Sequence, residues 1–422
     1  MLEIALMFFI FINIFFGLFP VIPTIVIIVA ISFYRVGLIG ACVLTSFALS
    51  TLLGSTLGVI GIFGIASLLQ YLVLLMCLYK WLVKHEFKMF YWSEGLKSLS
   101  LLFFVLFLSS IITTGGDYAF VKIYDTIFNG VIYFFAFALL LSNPDKCNFL
   151  RIGVYLILYS YLMLLLSPLL NTGSGPSGIL DFGYLRQQNL LVLEDEKLVI
   201  DYQHVGFFAT LGAGIIFLSS LWNRLNDKFV VLSLVLCTLS SLYSGARQFM
   251  IISIALIVLY VLLSKQQKGK LFYIAIGIGV SVFLLKFLFS EGGMLNSVKE
   301  DGYLEASNRD LVLLKGVYDF INSPFLGVGY GRFFFGKYGL YPHNLFVELL
   351  CEIGLVGTFI FLCSVIKPIK MIIKNYKPCI YIFVIIFLRS MTSGGMDSNI
   401  MMFSFLFACF SLKRINCQYE CH

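Results

Sequence analysis

HNLFVELLCEIGLVGTFIF, residues 343–361, decides the architecture. It opens on a histidine and an asparagine and then runs apolar, interrupted only by Glu348, Glu352 and small residues, as the start of a membrane-crossing helix does. The segment before it, about 291–342, is polar and carries six acids and five bases. His343 therefore stands at a seam between water and lipid. A titratable imidazole there is a candidate for chemistry on a lipid-borne substrate.

Working outward, similar apolar runs recur along all 422 residues. Hydrophobic residues make up 60% of the chain and charged residues 12%, and the mean hydropathy is +0.97. These values lie outside the range of soluble domains. Only helices satisfy their own backbone in lipid, so the fold expected is an all-α polytopic membrane protein of about 12–14 spans, forming one integral membrane domain over 1–422. The N-terminal run from Ile4 to Tyr34 reads as a retained anchor that Pro20 and Pro23 divide into two short helices.

Basic residues cluster in alternate connections: Lys80 to Lys97, Lys146 and Arg151, Arg224 and Lys228, Lys265 to Lys270, Lys367 to Lys377, and Lys413 with Arg414. By the positive-inside rule these face the cytoplasm. Two long connections, about 171–203 and 291–342, then fall outside. Loops of that length between spans imply function. The spans so placed include 36–54, 58–79, 99–115, 127–142, 271–289 and 343–366.

The ten cysteines lie mostly in apolar spans or basic loops and are expected to stay reduced. The tail CQYECH lacks a fourth ligand for zinc and reads as disordered. The net charge of +7 is spread over short loops, which does not describe a nucleic-acid surface. Neither a metal site nor a cofactor is expected.

Four arginines stand out. Arg247, in LYSGARQFM, lies where one span ends externally and the next begins. It either snorkels to the interface or presents a planar fork to a phosphate. Arg309, in SNRDLVLLKGVYDF, begins an amphipathic helix with Asn308 or Ser307 as cap. Arg332 closes the glycine string PFLGVGYGRF, which lacks the GxGxxG spacing and reads as a tight turn with exposed amides. Arg389, in FLRSMTSGGMDSN, lies deep in a span and needs a carboxylate, with Asp397, Glu348 and Glu352 available; a structural ion pair and a substrate contact both fit.

On an ideal helix, 100° per residue puts Gly354 about 20° from His343 and Glu352 opposite, so these two cannot form a dyad. Gly354 and Gly357 would instead let a neighbouring helix approach the His343 side. His343 itself fits either a capping, interfacial histidine or a base. His204, in DYQHVGFFA, is a second candidate base at the other loop-to-helix seam.

The ordered set SGARQ at 244–248, SNRDLVLLKGVYDFINSPFLGVGYG at 307–331 and PHNLFVELLCEIGLVG at 342–357 resembles the O-antigen polymerase and O-antigen ligase superfamily over roughly the C-terminal half. The resemblance implies glycan transfer from undecaprenyl diphosphate on the periplasmic face of the bacterial inner membrane, without metal or nucleotide. It implies His343 as general base on the acceptor hydroxyl and Arg247 and Arg309 as diphosphate contacts. Arg389 also falls on a position like the family's, and Arg332 joins the diphosphate-binding set. The implied partners are an oligosaccharide linked to undecaprenyl diphosphate, membrane lipid and a chain-length regulator protein. Two activities fit: a polymerase that joins lipid-linked repeat units, favoured by the Phe-, Ile- and Lys-rich composition, and a ligase that moves the glycan onto lipid A-core. A lipid-linked glycan exporter is the rival from another class, disfavoured because charge concentrates in external loops.

Overall fold

A computed structural model of the chain describes residues 21–49, 92–112, 117–142, 146–172, 202–223, 227–263, 309–333, 341–375, 379–392 and 395–411, with single positions between 71 and 83. No strand occurs among them. The expected spans 58–79 and 271–289, most of the two long loops and the tail CQYECH lie outside the described residues, apart from those single positions.

The helices are α1 (Val21–Leu44), α2 (Trp92–Ile112), α3 (Asp117–Ser142), α4 (Lys146–Thr172), α5 (Tyr202–Asn223), α6 (Asp227–Ser244), α7 (Arg247–Leu263), α8 (Arg309–Asn322), α9 (Leu345–Asn375), α10 (Ile380–Thr392) and α11 (Met396–Ser411). Four segments, 94–111, 119–141, 149–166 and 345–374, are long and apolar enough to cross a membrane. Shorter apolar helices accompany them. The all-α membrane class expected from composition is the class observed.

Helix α1 begins at Val21, between Pro20 and Pro23, with Pro23 in its first turn, where no intrahelical amide bond is lost. Pro20 and the run before it lie outside the described residues. A further interruption falls at Gly37, whose φ of 68° leaves the helical region. One boundary differs from expectation. Helix α3 starts at Asp117, ten residues before the expected 127, and so carries Lys122 into the bundle.

The helices divide into two compact units, one from residues 1–78 and 143–279, the other from 79–142 and 280–422. In the first, α4 and α5 pair closely because Gly153 and Gly212 face each other, a Cβ on either falling 2.6–2.7 Å from the partner's carbonyl. Ser160 Oγ donates to the Val205 carbonyl at 2.7 Å and bonds Ser240 Oγ at 2.6 Å, which ties α4, α5 and α6. The first turn of α5 meets the start of α7: a Cβ on Gly206 would lie 2.6 Å from the Phe249 ring.

In the second unit α11 is central. Its Ser404 hydroxyl donates to the Gly130 carbonyl of α3 at 2.8 Å, and Phe403 and Phe405 stack edge-on with Phe361 of α9 and Phe137 of α3. At one end of this unit Gly95 of α2 packs on Phe407. At the other, α2, α3 and α9 converge on the segment 324–331, and the start of α11 meets α9 through the Met396 amide and Glu348.

Candidate functional site

His343 is not part of the helix it precedes. Helix α9 begins at Leu345, and Asn344 is its cap: the Asn344 side-chain oxygen accepts from the Phe346 amide at 3.0 Å and the Val347 amide at 3.2 Å, while its carbonyl accepts from Glu348 at 3.0 Å. His343 occupies the preceding position with φ 57°, the one non-glycine residue of positive φ among those described. Left-handed backbone at a side-chain-bearing residue costs of order 1 kcal/mol or more and concentrates at functional positions. The ring is half-buried and meets Tyr341 edge-on, with centroids 4.7 Å apart. The helical projection from His343 to Gly354 therefore fails at both ends, since neither residue has helical backbone.

Gly354 is where α9 breaks, with φ 66° and ψ −172°, a region in practice reserved for glycine. The break leaves carbonyls and amides without intrahelical partners, and the glycine string supplies them. Val328 and Gly329 amides donate to the carbonyls of Cys351 (2.7 Å) and Glu352 (2.9 Å); Leu355 and Val356 amides donate to Pro324 (2.8 Å) and Phe325 (3.1 Å). The string 324–331 is thus neither a nucleotide loop nor a turn with exposed amides. It is a splice inserted into a broken helix. Close approach at Gly354 is to this loop, not to a neighbouring helix: a Cβ there would lie 2.3 Å from the Phe325 carbonyl oxygen.

Below the splice lies a charge that the sequence reading passed over. Lys122 of α3 is 2% exposed. Its ammonium donates to Glu348 at 2.7 Å and to both oxygens of Glu352 at 2.8 and 2.9 Å. The four-residue spacing of the two glutamates puts them on one face of α9. Glu348 also accepts the Met396 amide at 2.8 Å, tying in the start of α11. The Tyr330 ring lies over the ammonium at 4.9 Å, and its hydroxyl bonds Thr126 at 2.5 Å. Burial holds the Tyr330 phenol well above the usual tyrosine range, against the opposing pull of Lys122. Ser109 of α2 completes the set, donating to the Glu352 carbonyl at 3.0 Å and accepting the Tyr330 amide at 2.9 Å. Removing one partner of such a buried pair costs about 3–5 kcal/mol.

Glu348 and Glu352, considered for Arg389, are therefore engaged by Lys122. Arg389 is half-buried in the last turn of α10, where a cation complements the helix dipole. Lys122, at 2% exposure, is the more deeply buried of these two cations.

Arg309 opens α8; its side chain, like those of Ser307, Asn308 and Asp397, is outside the described residues. The body of α8 packs against the residues flanking His343, a Cβ on Gly316 falling 2.8 Å from Val347 Cγ1 and 3.2 Å from Pro342 Cβ. Buried Val312 of α8 joins Phe333 and Cys351 in a small core. Arg332 is exposed at the end of the splice, its amide bonded to the Gly329 carbonyl at 3.1 Å. The second unit therefore assembles His343, α8 with Arg309 at its head, and Arg332 around one splice.

In the first unit, Arg247 heads α7 and His204 lies in the first turn of α5, its ring stacked on Phe208 at 6.0 Å. Contact of Gly206 with Ala246 and Phe249 sets these two helix starts side by side. The Arg247 side chain is outside the described residues.

Residues 232–362, just under a third of the chain, match the family described as O-antigen ligase. No curated protein matches the chain. The matched stretch holds α8, the glycine splice and the His343–Asn344 helix start, and over it the chain is similar to the O-antigen ligase family; the apolar helices are those of a multi-pass membrane protein.

Proposed function

We propose that the protein is an O-antigen polymerase, an inverting glycosyltransferase that joins oligosaccharide repeat units carried on undecaprenyl diphosphate. In this reading it is one integral domain of the bacterial inner membrane, with loops about 171–203 and 291–342 and the His343 site facing the periplasm. A chain-length regulator would act beside it. The observation that carries the proposal is His343, held in left-handed backbone ahead of a capped helix and flanked by α8.

Chemically, a sugar hydroxyl is a weak nucleophile. His343 takes its proton as the oxygen attacks the anomeric carbon, a contribution of about 10² to 10⁴-fold. The bond from that carbon to the lipid diphosphate breaks, and inversion follows from direct displacement. Arg309, Arg332, Arg389 and Arg247 are proposed to neutralise the departing diphosphate, the role a metal ion takes in other enzymes. The roles of Arg247, Arg309 and Arg389 rest on the sequence resemblance alone.

The family description favours a second reading, a ligase that transfers the glycan to lipid A-core. A deletion strain examined by lipopolysaccharide gel separates the two. Loss of a polymerase leaves core with a single repeat unit, and loss of a ligase leaves bare core with long chains stranded on the lipid carrier. Trapped single units inside the cell would instead indicate an exporter. Complementation with His343→Ala should fail to restore the ladder at normal protein level; a normal ladder removes the base assignment.

A further inference from the structure

The reaction as proposed makes no use of the buried cluster under the splice, yet the cluster holds both the splice and the first two turns of α9, the helix that His343 precedes. Lys122 reaches three carboxylate oxygens at 2.7 to 2.9 Å, drawn from the first two turns of α9. One of those glutamates, Glu352, also gives its backbone carbonyl to the splice, where it accepts from both Gly329 and Ser109. The same loop, traced backward, is the C-terminal continuation of α8. Helix α8 in turn rests on Pro342 and Val347, one on each side of the His343–Asn344 pair. A displacement of the first two turns of α9 thus moves the cap of His343 and the seat of α8 together.

An ammonium on two buried carboxylates is weak support for a purely stabilising role, since apolar replacements of similar volume often hold a fold as well or better. What an apolar core cannot supply is a fixed register between α3, the broken helix and the loop. A point charge contacting both Glu348 and Glu352 specifies that register.

We propose that Lys122 is a positioning residue for glycosyl transfer: by clamping Glu348 and Glu352 it fixes the splice at the α9 break and so sets His343 against α8. The proposal rests on His343 acting as the base.

The test compares Lys122→Met, Lys122→Arg and Ser109→Ala in purified, detergent-solubilised full-length protein, with a polyprenyl-diphosphate-linked oligosaccharide as donor and acceptor. Melting temperature, kcat and KM are measured on the monodisperse fraction. Lys122→Met should lower kcat about 100-fold, the scale of an ångström-level misplacement. Lys122→Arg keeps the charge and should melt within a few degrees of the parent. Its planar fork cannot place one nitrogen on all three oxygens, so kcat should still fall about 10-fold. Ser109→Ala loses only the bridging hydroxyl and should show a similar fall of about 10-fold, which decides the matter if Lys122→Met does not fold. If kcat simply follows melting temperature across the variants, or stays parental in Lys122→Arg and Ser109→Ala, Lys122 is structural only and the proposal is overturned. His343→Ala run alongside separates the two ideas: its activity would sink the base assignment, whereas its inactivity beside parental Lys122→Arg and Ser109→Ala sinks only the positioning role.

Discussion

Substituting Gly354 by alanine tests whether the break in α9 is built or incidental. The backbone there has φ 66° and ψ −172°. An alanine in that region carries a strain of about 1–3 kcal/mol. The added Cβ would also fall 2.3 Å from the Phe325 carbonyl oxygen and 2.5 Å from the Gly327 amide nitrogen, so the loop backbone must retreat. Retreat breaks at least two of the four splice hydrogen bonds, at about 1 kcal/mol each. The sum is about 3–5 kcal/mol, or a fall in melting temperature of roughly 6–20 °C. Gly37 supplies the control, with nearly the same backbone (φ 68°, ψ −179°) and nothing within 4 Å of its Cβ position. Gly37→Ala should therefore show the strain alone, leaving a difference of about 2 kcal/mol, roughly 4–8 °C, attributable to the splice. Thermal melts of the detergent-solubilised variants read both numbers. Equal shifts for the two substitutions, or a parental melt for Gly354→Ala, would refute the splice as the reason for the glycine.

His343→Asn should keep the fold, because asparagine tolerates left-handed backbone, while abolishing glycan transfer; activity within tenfold of the parent would argue against proton abstraction at this position. Asn344→Ala removes the α9 cap and should cost about 1 kcal/mol, read as a melting shift of roughly 2–4 °C. Gly316→Leu should push α8 off Pro342 and Val347 and lower turnover by at least about 10-fold, with Gly316→Ala milder because the nearest atom it meets is a side-chain methyl of Val347.

Several of these sites were visible in the sequence only as residues, not as relations. The His-Asn pair ahead of an apolar run was legible, but its backbone was not. Placing the helix start at His343 rather than Leu345 turned a residue outside the helix into a wheel position. The glycine string lacks the GxGxxG spacing, yet its partner lies more than twenty residues away, at Cys351 to Val356, and no local pattern announces a pairing between a loop and a broken helix. Lys122 is not legible as a buried charge, because the segment 117–126 is polar enough to read as a connection. The signal available was the four-residue spacing of Glu348 and Glu352 in an otherwise apolar helix, which asks for a buried cation.

Sequence alone determined the class, since apolar runs in a chain that is 60% hydrophobic leave only helices able to satisfy their own backbone in lipid. It also singled out His343 and the arginine-bearing segments, because charge at a lipid seam is costly enough to be conspicuous. Only the tertiary structure decided what holds them. The splice at Gly354 and the Lys122 clamp join residues up to 230 positions apart, and long-range pairing of backbone and buried charge leaves no periodic trace along a chain.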